Sequence, residues 1–150
     1  MSQDEHPQTF TVASDERLVE LIRSAKTRIV VVAPALTSAV AEAVASRCSD
    51  EALDITAILD ADEEVYRLGY GDQATLETLR NAMTQSGLGL ALQPGVRIGM
   101  IIADGQMLIY SPVPRLIEAG SDREAKPNAI LIRDNAVECR FPLRSDPVGA

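Results

Sequence analysis

The stretch VRIGMIIADGQMLIYS, residues 96–111, contains two apolar runs on either side of Asp104-Gly105. Aspartate followed by glycine between apolar runs is a strong signal for a β-hairpin with a two-residue turn, because glycine tolerates the positive φ of such turns. Arg97 stands just before the first run. A charged side chain at the start of an apolar strand must reach solvent, pair with an acid or face a ligand. A structural salt bridge and a ligand-facing role are equally open for Arg97.

The chain before this hairpin alternates between helix and strand patterns. Apolar residues recur at helical spacing in 15–27, 36–49 and 73–87, with Ser14 and Asp72 as capping residues, whereas 28–35 and 52–60 are short apolar runs typical of buried strands. Residues 61–72 show neither pattern and are predicted to be irregular. Further strands are predicted at 88–93, 97–103, 106–110 and 128–141, with a second turn at Asp134-Asn135. This order predicts an α/β fold with a mixed sheet flanked by helices on both faces.

The length of 150 residues is that of one domain. We expect a flexible leader at 1–13, a single domain at 14–141 and a C-terminal tail at 142–150. The segment 111–127 is a long, charged and proline-containing loop. The abrupt ending SDPVGA also leads us to expect that the natural chain could extend further.

The composition argues against two classes of partner. The net charge of -8 disfavours a nucleic-acid surface, because such surfaces depend on Lys and Arg that displace counterions. Aromatic residues make up 3% of the chain, which leaves few platforms for stacking bases. No stretch has the length and apolar character of a membrane span, and the N-terminus lacks a signal-peptide pattern. We therefore expect a cytoplasmic protein without a membrane or nucleic-acid partner.

Common catalytic and cofactor arrangements are missing from the sequence. His6 is the single histidine and lies in the expected leader, which disfavours a Ser-His or Cys-His pair. Cys48 and Cys139 match no metal or redox spacing, so buried free thiols are the favoured interpretation. The glycines around Tyr70 lack the context of a dinucleotide-binding loop. No cofactor and no metal site are predicted from these patterns.

A few polar residues nevertheless sit where a ligand site is expected. Asp60 and Asp104 fall at predicted strand ends, where paired carboxylates could bind a hard cation or act as acid and base; a loop start and a turn residue explain them equally well. Arg67 lies in the loop that contains Tyr70. Two guanidinium groups in one cleft, Arg67 and Arg97, would form a carboxylate or phosphate site.

At this point the order of segments resembles a single phospholipase D-like domain. Members of that superfamily carry His-x-Lys, four residues and then Asp on a strand followed by a hairpin, with Gly-Ser a few residues later. In RIGMIIADG the histidine position is occupied by Arg97, the lysine position by Gly99 and the aspartate position by Asp104; Ser111 of YSP stands at the serine. LVELIRSAKTRIVVVAPALT is similar to the opening helix and strand of the family. KPNAILIRDN is similar to its late Asn-containing strand, with Asn128 matching and the family's glutamate absent.

The resemblance implies a mechanism that this sequence cannot perform. In the family one histidine attacks phosphorus, a second histidine protonates the leaving group and the lysines stabilise the charge. Arginine stays protonated at all accessible pH values and cannot replace that nucleophile, and glycine supplies no charge. The interpretation is a pseudoenzyme whose Arg97, Asp104 and Ser111 are remnants or a re-used binding site. The superfamily also has non-catalytic members, among them the effector domains of archaeal sugar-responsive regulators.

The leading hypothesis is a non-catalytic phospholipase D-like regulatory module that binds a ligand or oligomerises, with no enzyme activity. The resemblance implies a homodimer with the motif hairpins facing across a two-fold axis. The other expected partners are a small anionic ligand or a partner protein. The ligand candidates are Arg97, Asp104, Ser111, Arg67, Tyr70, Asp60 and Asn128, and a cleft is expected near Pro34. Two alternatives stay open: an enzyme of altered, metal-dependent chemistry based on Asp60 and Asp104, and a nucleic-acid-binding module without cleavage.

Overall fold

The computed structural model describes residues 8–60, 62–112 and 127–133. These residues form a mixed seven-stranded sheet in the order β1-β7-β6-β5-β2-β3-β4. The strands β2, β3 and β4 are parallel to one another, and the remaining neighbours are antiparallel. The strands are β1 (Gln8–Thr11), β2 (Arg28–Ala33), β3 (Asp54–Leu59), β4 (Leu90–Leu92), β5 (Gly99–Ala103), β6 (Gln106–Tyr110) and β7 (Ala129–Arg133).

One described helix precedes the parallel strands and the others connect them, and each begins at a capping side chain. The helices are α1 (Asp15–Ser24), α2 (Ser38–Arg47), α3 (Glu63–Leu68) and α4 (Gln73–Gln85). Ser14, Thr37 and Asp72 accept hydrogen bonds from backbone N–H groups in the first turns of α1, α2 and α4. The capped helices predicted at Ser14 and Asp72 are therefore confirmed. No described helix is both long and apolar enough to cross a membrane.

The main core lies between the helices and one face of the sheet. It contains Ile22 of α1, Val44 of α2 and Leu79 of α4, packed against β-branched residues such as Ile29 and Ile101. Alternation along the strands places every second residue on this face. The mixed sheet and the single α/β domain predicted from the sequence are thus observed.

The second face of the sheet carries a smaller apolar cluster that consists of strand residues. Val30 and Ile102 are buried there, and Val32, Met100, Met107 and Ile132 pack around them. None of the described helices contributes to this cluster. The expectation of helices on both faces is therefore met on one face by the described residues, and helices on the second face stay a prediction.

Two local predictions were wrong. Residues 8–11 were assigned to a flexible leader, but they form β1, which pairs with β7 at one side of the sheet. The segment 61–72 was predicted to be irregular, but it contains helix α3. The signals were present: Asp62 caps the helix, Glu63 and Glu64 favour its positive N-terminus, and Gly69 ends it with a φ of 93°. The helix is only six residues long, too short for a periodic pattern.

The hairpin predicted around Asp104-Gly105 is confirmed. Ala103 pairs with Gln106, and the register continues to Gly99 opposite Tyr110. The positive φ of the turn lies at Asp104, with a value of 55°. The strand β5 begins two residues after Arg97, so that Arg97 lies in the loop before the strand. The second turn at Asp134-Asn135 and Cys139 lie outside the described residues.

Candidate functional site

One edge of the sheet collects most of the candidate residues; we call it the site edge. It is formed by the carboxyl ends of β2, β3 and β6 and by the amino ends of β5 and β7. Pro34 and Asp60 directly follow β2 and β3, and their backbones are joined by a hydrogen bond of 3.1 Å. Ser111 follows β6, and Asn128 precedes β7. Ligand sites of open α/β sheets usually lie at the carboxyl ends of parallel strands, which makes this edge the candidate site.

Asp60 and Arg97 form an ion pair at the site edge. The Arg97 Nη1 group donates to Asp60 Oδ2, which also accepts the backbone N–H of Gly95 at 3.0 Å. The Asp60 side chain is 0% exposed and that of Arg97 is 40% exposed. Asp60 Oδ1 is buried and has no hydrogen-bond partner among the described residues. The pair is therefore only partly satisfied: one carboxylate oxygen is saturated, and the other is not.

The Arg97 guanidinium has two further neighbours. Its Nη1 also donates to the carbonyl of Val96 at 2.8 Å, and its Cζ lies 6.0 Å from the centre of the Tyr70 ring, at the outer limit of a cation-π contact. The hydrogen bond to Asp60 raises the pKa of Arg97 above its ordinary value. Arg97 is consequently a permanent, positioned cation. The sequence left open whether Arg97 forms a salt bridge or contacts a ligand. The structure shows the salt bridge, with part of the Arg97 side chain still exposed.

Gly99, at the position where the resemblance places the family's lysine, lies against the ring of Tyr110. A Cβ atom built on Gly99 would overlap three carbon atoms of that ring, so the ring occupies the space that any side chain at this position would need. Tyr110 is buried, and its burial strongly raises the pKa of its hydroxyl. Tyrosine over glycine in a cross-strand pair fills the gap left by the missing side chain.

Asn128 holds the end of the sheet together. Its Nδ2 donates to the carbonyl of Ser111 at 3.0 Å, and its Oδ1 accepts the backbone N–H of Ala13 at 2.9 Å. The backbone N–H of Ser111 in turn donates to the Asn128 carbonyl at 3.0 Å. The side chain of Asn128 therefore latches β6 and β7 to the segment after β1. Its polar atoms are engaged within the protein, while the Ser111 side chain lies at the exposed surface.

A shallow groove of about 410 Å³ opens at the site edge. Arg97 lies at this groove together with Ser111 and Asn128. The remaining lining residues are mostly apolar: Phe10, Ile98, Ile109, Tyr110, Pro127, Ala129 and Ile130. We call this the Arg97 groove. Pockets of 300–1,000 Å³ with apolar walls and a few polar groups are typical of small-molecule sites.

Asp104 lies at the opposite edge of the sheet. Its carboxylate accepts the backbone N–H groups of Lys26 and Thr27 and the Thr27 hydroxyl, each at 2.8 Å, and the backbone N–H of Arg28 at 3.0 Å. Partial burial raises the pKa of Asp104, but the bonds from Thr27, Lys26 and Arg28 outweigh this and leave it below its ordinary value. Asp104 is a structural residue that ties the hairpin to the start of β2.

This placement corrects the hypothesis of a shared site built from Asp60 and Asp104. Asp60 follows the end of β3, and Asp104 bonds to the start of β2. The two carboxylates are separated by the length of a six-residue strand, about 20 Å at 3.3 Å per residue. In the described part of the chain no group of three or more His, Cys, Asp or Glu residues could hold a metal ion.

Arg67 does not join Arg97. Its side chain is 74% exposed, pairs with Glu64 at 3.7 Å, and does not line the Arg97 groove. The prediction of two convergent guanidinium groups was wrong, because Arg67 lies on helix α3 and pairs with the acid three residues before it. Cys48 is a buried free thiol, as predicted, and donates to the Val44 carbonyl.

Tyr110 and Ile98 line the Arg97 groove but were not among the predicted site residues. The signal for Tyr110 was available, because a two-residue turn at Asp104-Gly105 fixes the register and places Gly99 opposite Tyr110. Ile98 gave no such signal, since an apolar residue beside a strand start is expected to be buried. It is instead 53% exposed.

Similar proteins are found only by comparison of structures. No protein-family model matches the sequence, and no curated protein matches it. Among solved structures the chain is similar to Nuc, a phospholipase D family member from Salmonella typhimurium, with 17% identity and a TM-score of 0.57. That match covers 85% of this chain and 84% of Nuc.

Two larger proteins contain a similar unit. TrmBL2, an archaeal chromatin protein, matches with 11% identity and a TM-score of 0.58 over 93% of this chain and 50% of its own. Phosphatidylserine synthase from Haemophilus influenzae Rd KW20 matches with 14% identity and a TM-score of 0.59 over 87% of this chain and 34% of its own. At these identities the likeness shows the fold, which is phospholipase D-like.

Proposed function

We propose that this chain is a non-catalytic phospholipase D-like domain that binds a ligand at the Arg97 groove. The observation that carries the proposal is the Tyr110 ring, which occupies the space beside Gly99 where the resemblance places a catalytic lysine. Phosphoryl transfer depends on positioned cations that stabilise developing charge. Gly99 provides no charge, and Tyr110 leaves no room for one.

Arg97 supplies no nucleophile either. Its guanidinium is permanently protonated, and its ion pair with Asp60 raises its pKa further. Among the described residues of the Arg97 groove there is no histidine, cysteine or lysine. Ser111 and Tyr110 carry the hydroxyls of the lining. A serine needs an adjacent base to act as a nucleophile, and burial strongly raises the pKa of Tyr110, which disfavours its phenolate. The groove can thus hold an anion, and the groups that would attack phosphorus are missing from its described lining.

His6, the single histidine, lies outside the described residues, and the proposal assigns it no part at the Arg97 groove.

The proposal includes self-association, with the site edges of two copies facing each other in an isologous contact, as the family resemblance implies. Sedimentation velocity at micromolar concentrations tests this part. We expect a dimer. A monomer across that range would remove self-association from the proposal and leave ligand binding untouched.

Hydrolysis of bis(p-nitrophenyl) phosphate tests the absence of catalysis. The purified full chain is incubated with the diester in EDTA and, separately, in millimolar Mg²⁺. We expect p-nitrophenol release equal to that of buffer, for the wild type and for Arg97→Ala. Turnover that survives further purification and disappears in Arg97→Ala would overturn the proposal. A gel shift at low salt with duplex DNA tests the nucleic-acid alternative, and retardation would favour it over a small ligand.

A further inference from the structure

We propose that the ligand of the Arg97 groove is a single-chain amphiphile with a carboxylate head, that is, a medium-chain aliphatic acid. The head would pair with Arg97 and the chain would lie on the apolar walls. This inference rests on the proposed function, because it names the ligand class of the same site. It is carried by three properties of the groove: its apolar lining, its single charge and the way in which that charge is held.

The walls of the Arg97 groove are apolar and exposed. Phe10 is 75% exposed and Ile98 is 53% exposed, which is unusual for large apolar side chains in a folded chain. Ile109 and Ile130 form a cross-strand pair in the floor between them. An alkyl chain would cover Phe10, Ile98 and this cross-strand pair.

The groove lining contains one charged side chain, Arg97, and no Asp or Glu. Arg97 is not an unbalanced cation, because the buried Asp60 carboxylate pairs with it. Its Nε and Nη2 donors, which Asp60 does not engage, are what a ligand would meet. They would repel an ammonium head, and a hydroxyl head would accept weaker hydrogen bonds from them than a carboxylate does.

The guanidinium is held so that part of it stays available. Asp60 and the Val96 carbonyl both engage Nη1, and Nε and Nη2 have no hydrogen-bond partner among the described residues. Nε and Nη2 form one edge of the planar fork, and a carboxylate matches such an edge with two parallel hydrogen bonds. Because Asp60 is fully buried, it fixes the guanidinium and limits the conformational entropy lost on binding.

A carboxylate fits this arrangement better than a phosphate monoester. A phosphate monoester is a dianion and needs a second cation. Arg67, the candidate for that role, pairs with Glu64 outside the groove. Asp60 already balances the charge of Arg97, so each additional negative charge on the ligand would lack a cation, and a carboxylate brings fewer of them than a phosphate monoester. The chemistry of the site therefore combines one monovalent head with an apolar chain.

Titration of the full chain with octanoate, octylammonium and octanol tests the inference, with each probe kept below its aggregation concentration. We expect saturable binding of octanoate, seen as amide shifts of Ile98 and Ile130 in ¹H–¹⁵N spectra, and weaker or no binding of the other two. Decanoate should bind up to about sixteenfold more tightly than octanoate, because it has two more methylenes and each tightens binding about fourfold when burial is complete. Phosphate alone and acetate alone separate head binding from chain binding.

Three variants locate the site. Arg97→Gln should weaken octanoate binding about tenfold or more, as expected for the loss of charged hydrogen bonds. Arg80→Gln is the matched control, since Arg80 is also 40% exposed and pairs with an acid, Glu77, outside the groove; it should leave the affinity unchanged. Ile98→Asp keeps the fold, because Ile98 is exposed, and should abolish binding by placing a negative charge beside the head.

Equal binding of octanoate and octylammonium, or octanoate binding that Ile98→Asp leaves unchanged, would overturn the inference. So would the absence of saturable octanoate binding to the folded full chain, whatever its oligomeric state. None of these results alters the outcome of the diester assay. Failure of the ligand class and failure of the non-catalytic proposal are thus distinguishable.

Discussion

The two ends of strand β5 carry opposite charges and differ in how completely those charges are satisfied. At one end Asp104 accepts four hydrogen bonds from residues 26–28 and holds the hairpin against β2. At the other end Arg97 and Asp60 pair, yet Asp60 Oδ1 is unpartnered and the guanidinium is partly exposed. A saturated charge is typical of a structural role, whereas an unsaturated, positioned charge beside a groove is available to a ligand.

The largest effect is expected at the site edge where the Tyr110 ring covers Gly99. Tyr110→Ala should lower the free energy of unfolding by about 3–5 kcal/mol, because it removes a buried aromatic ring. Gly99→Ala should cost about 3 kcal/mol, since its Cβ would overlap that ring. Denaturant unfolding of the double variant should show that Gly99→Ala costs almost nothing once Tyr110 is alanine. Additive effects of the two changes would show that the ring does not fill this space.

The next largest effect on stability distinguishes Arg97 from Asp60, the two partners of the ion pair. Arg97→Ala should lower the free energy of unfolding by about 3 kcal/mol, because it leaves the buried Asp60 carboxylate unpaired. Asp60→Asn should cost about 1 kcal/mol, since the Arg97 side chain can still reach water. Arg67→Ala is the control; its exposed pair with Glu64 is worth less than about 0.5 kcal/mol. Equal losses of unfolding free energy in Arg97→Ala and Asp60→Asn would contradict this difference between the buried and the exposed partner.

The smallest effect is expected at Asp104, at the end of β5 where the charge is fully hydrogen-bonded, and this effect depends on pH. Asp104→Asn should cost about 2 kcal/mol at neutral pH through the loss of charged hydrogen bonds. The folded-state pKa of Asp104 is lowered, so its contribution is present above the unfolded pKa of about 3.9 and is lost as the pH falls through the folded value. Unfolding midpoints of wild type and variant should therefore converge in this acidic range. A constant difference between pH 7 and pH 3 would exclude a role for the charge.

Much of the fold followed from local patterns in the sequence. The hairpin at Asp104-Gly105 and the helices capped by Ser14 and Asp72 each depend on a few neighbouring residues, which is why they could be predicted. Strand β1 could not, because its four residues gain stability from pairing with β7, more than a hundred residues later. The short helix α3 was hidden for another reason: it is too brief to show a period.

The site was predictable in its position and less so in its contacts. Strand ends placed Asp60, Arg97 and Ser111 at one edge of the sheet, because the alternation of helices and strands fixes the direction of each strand. The pairing of Arg97 with Asp60, across 37 residues, depends on loop geometry that local sequence does not encode. The role of Asp104 was ambiguous for the same reason, since its partners at 26–28 lie at the start of β2 and in the loop before it.

The account depends on the absence of an imidazole at the site edge, and the position of His6 tests this most directly. A mixed sample of differently labelled copies allows nuclear Overhauser contacts of the His6 ring to be observed within one chain and between two chains. We expect no contact between the His6 ring and the side chains of Ile98 or Tyr110. A contact with either residue, from the same chain or from a second copy, would place a nucleophile at the groove and contradict the non-catalytic account.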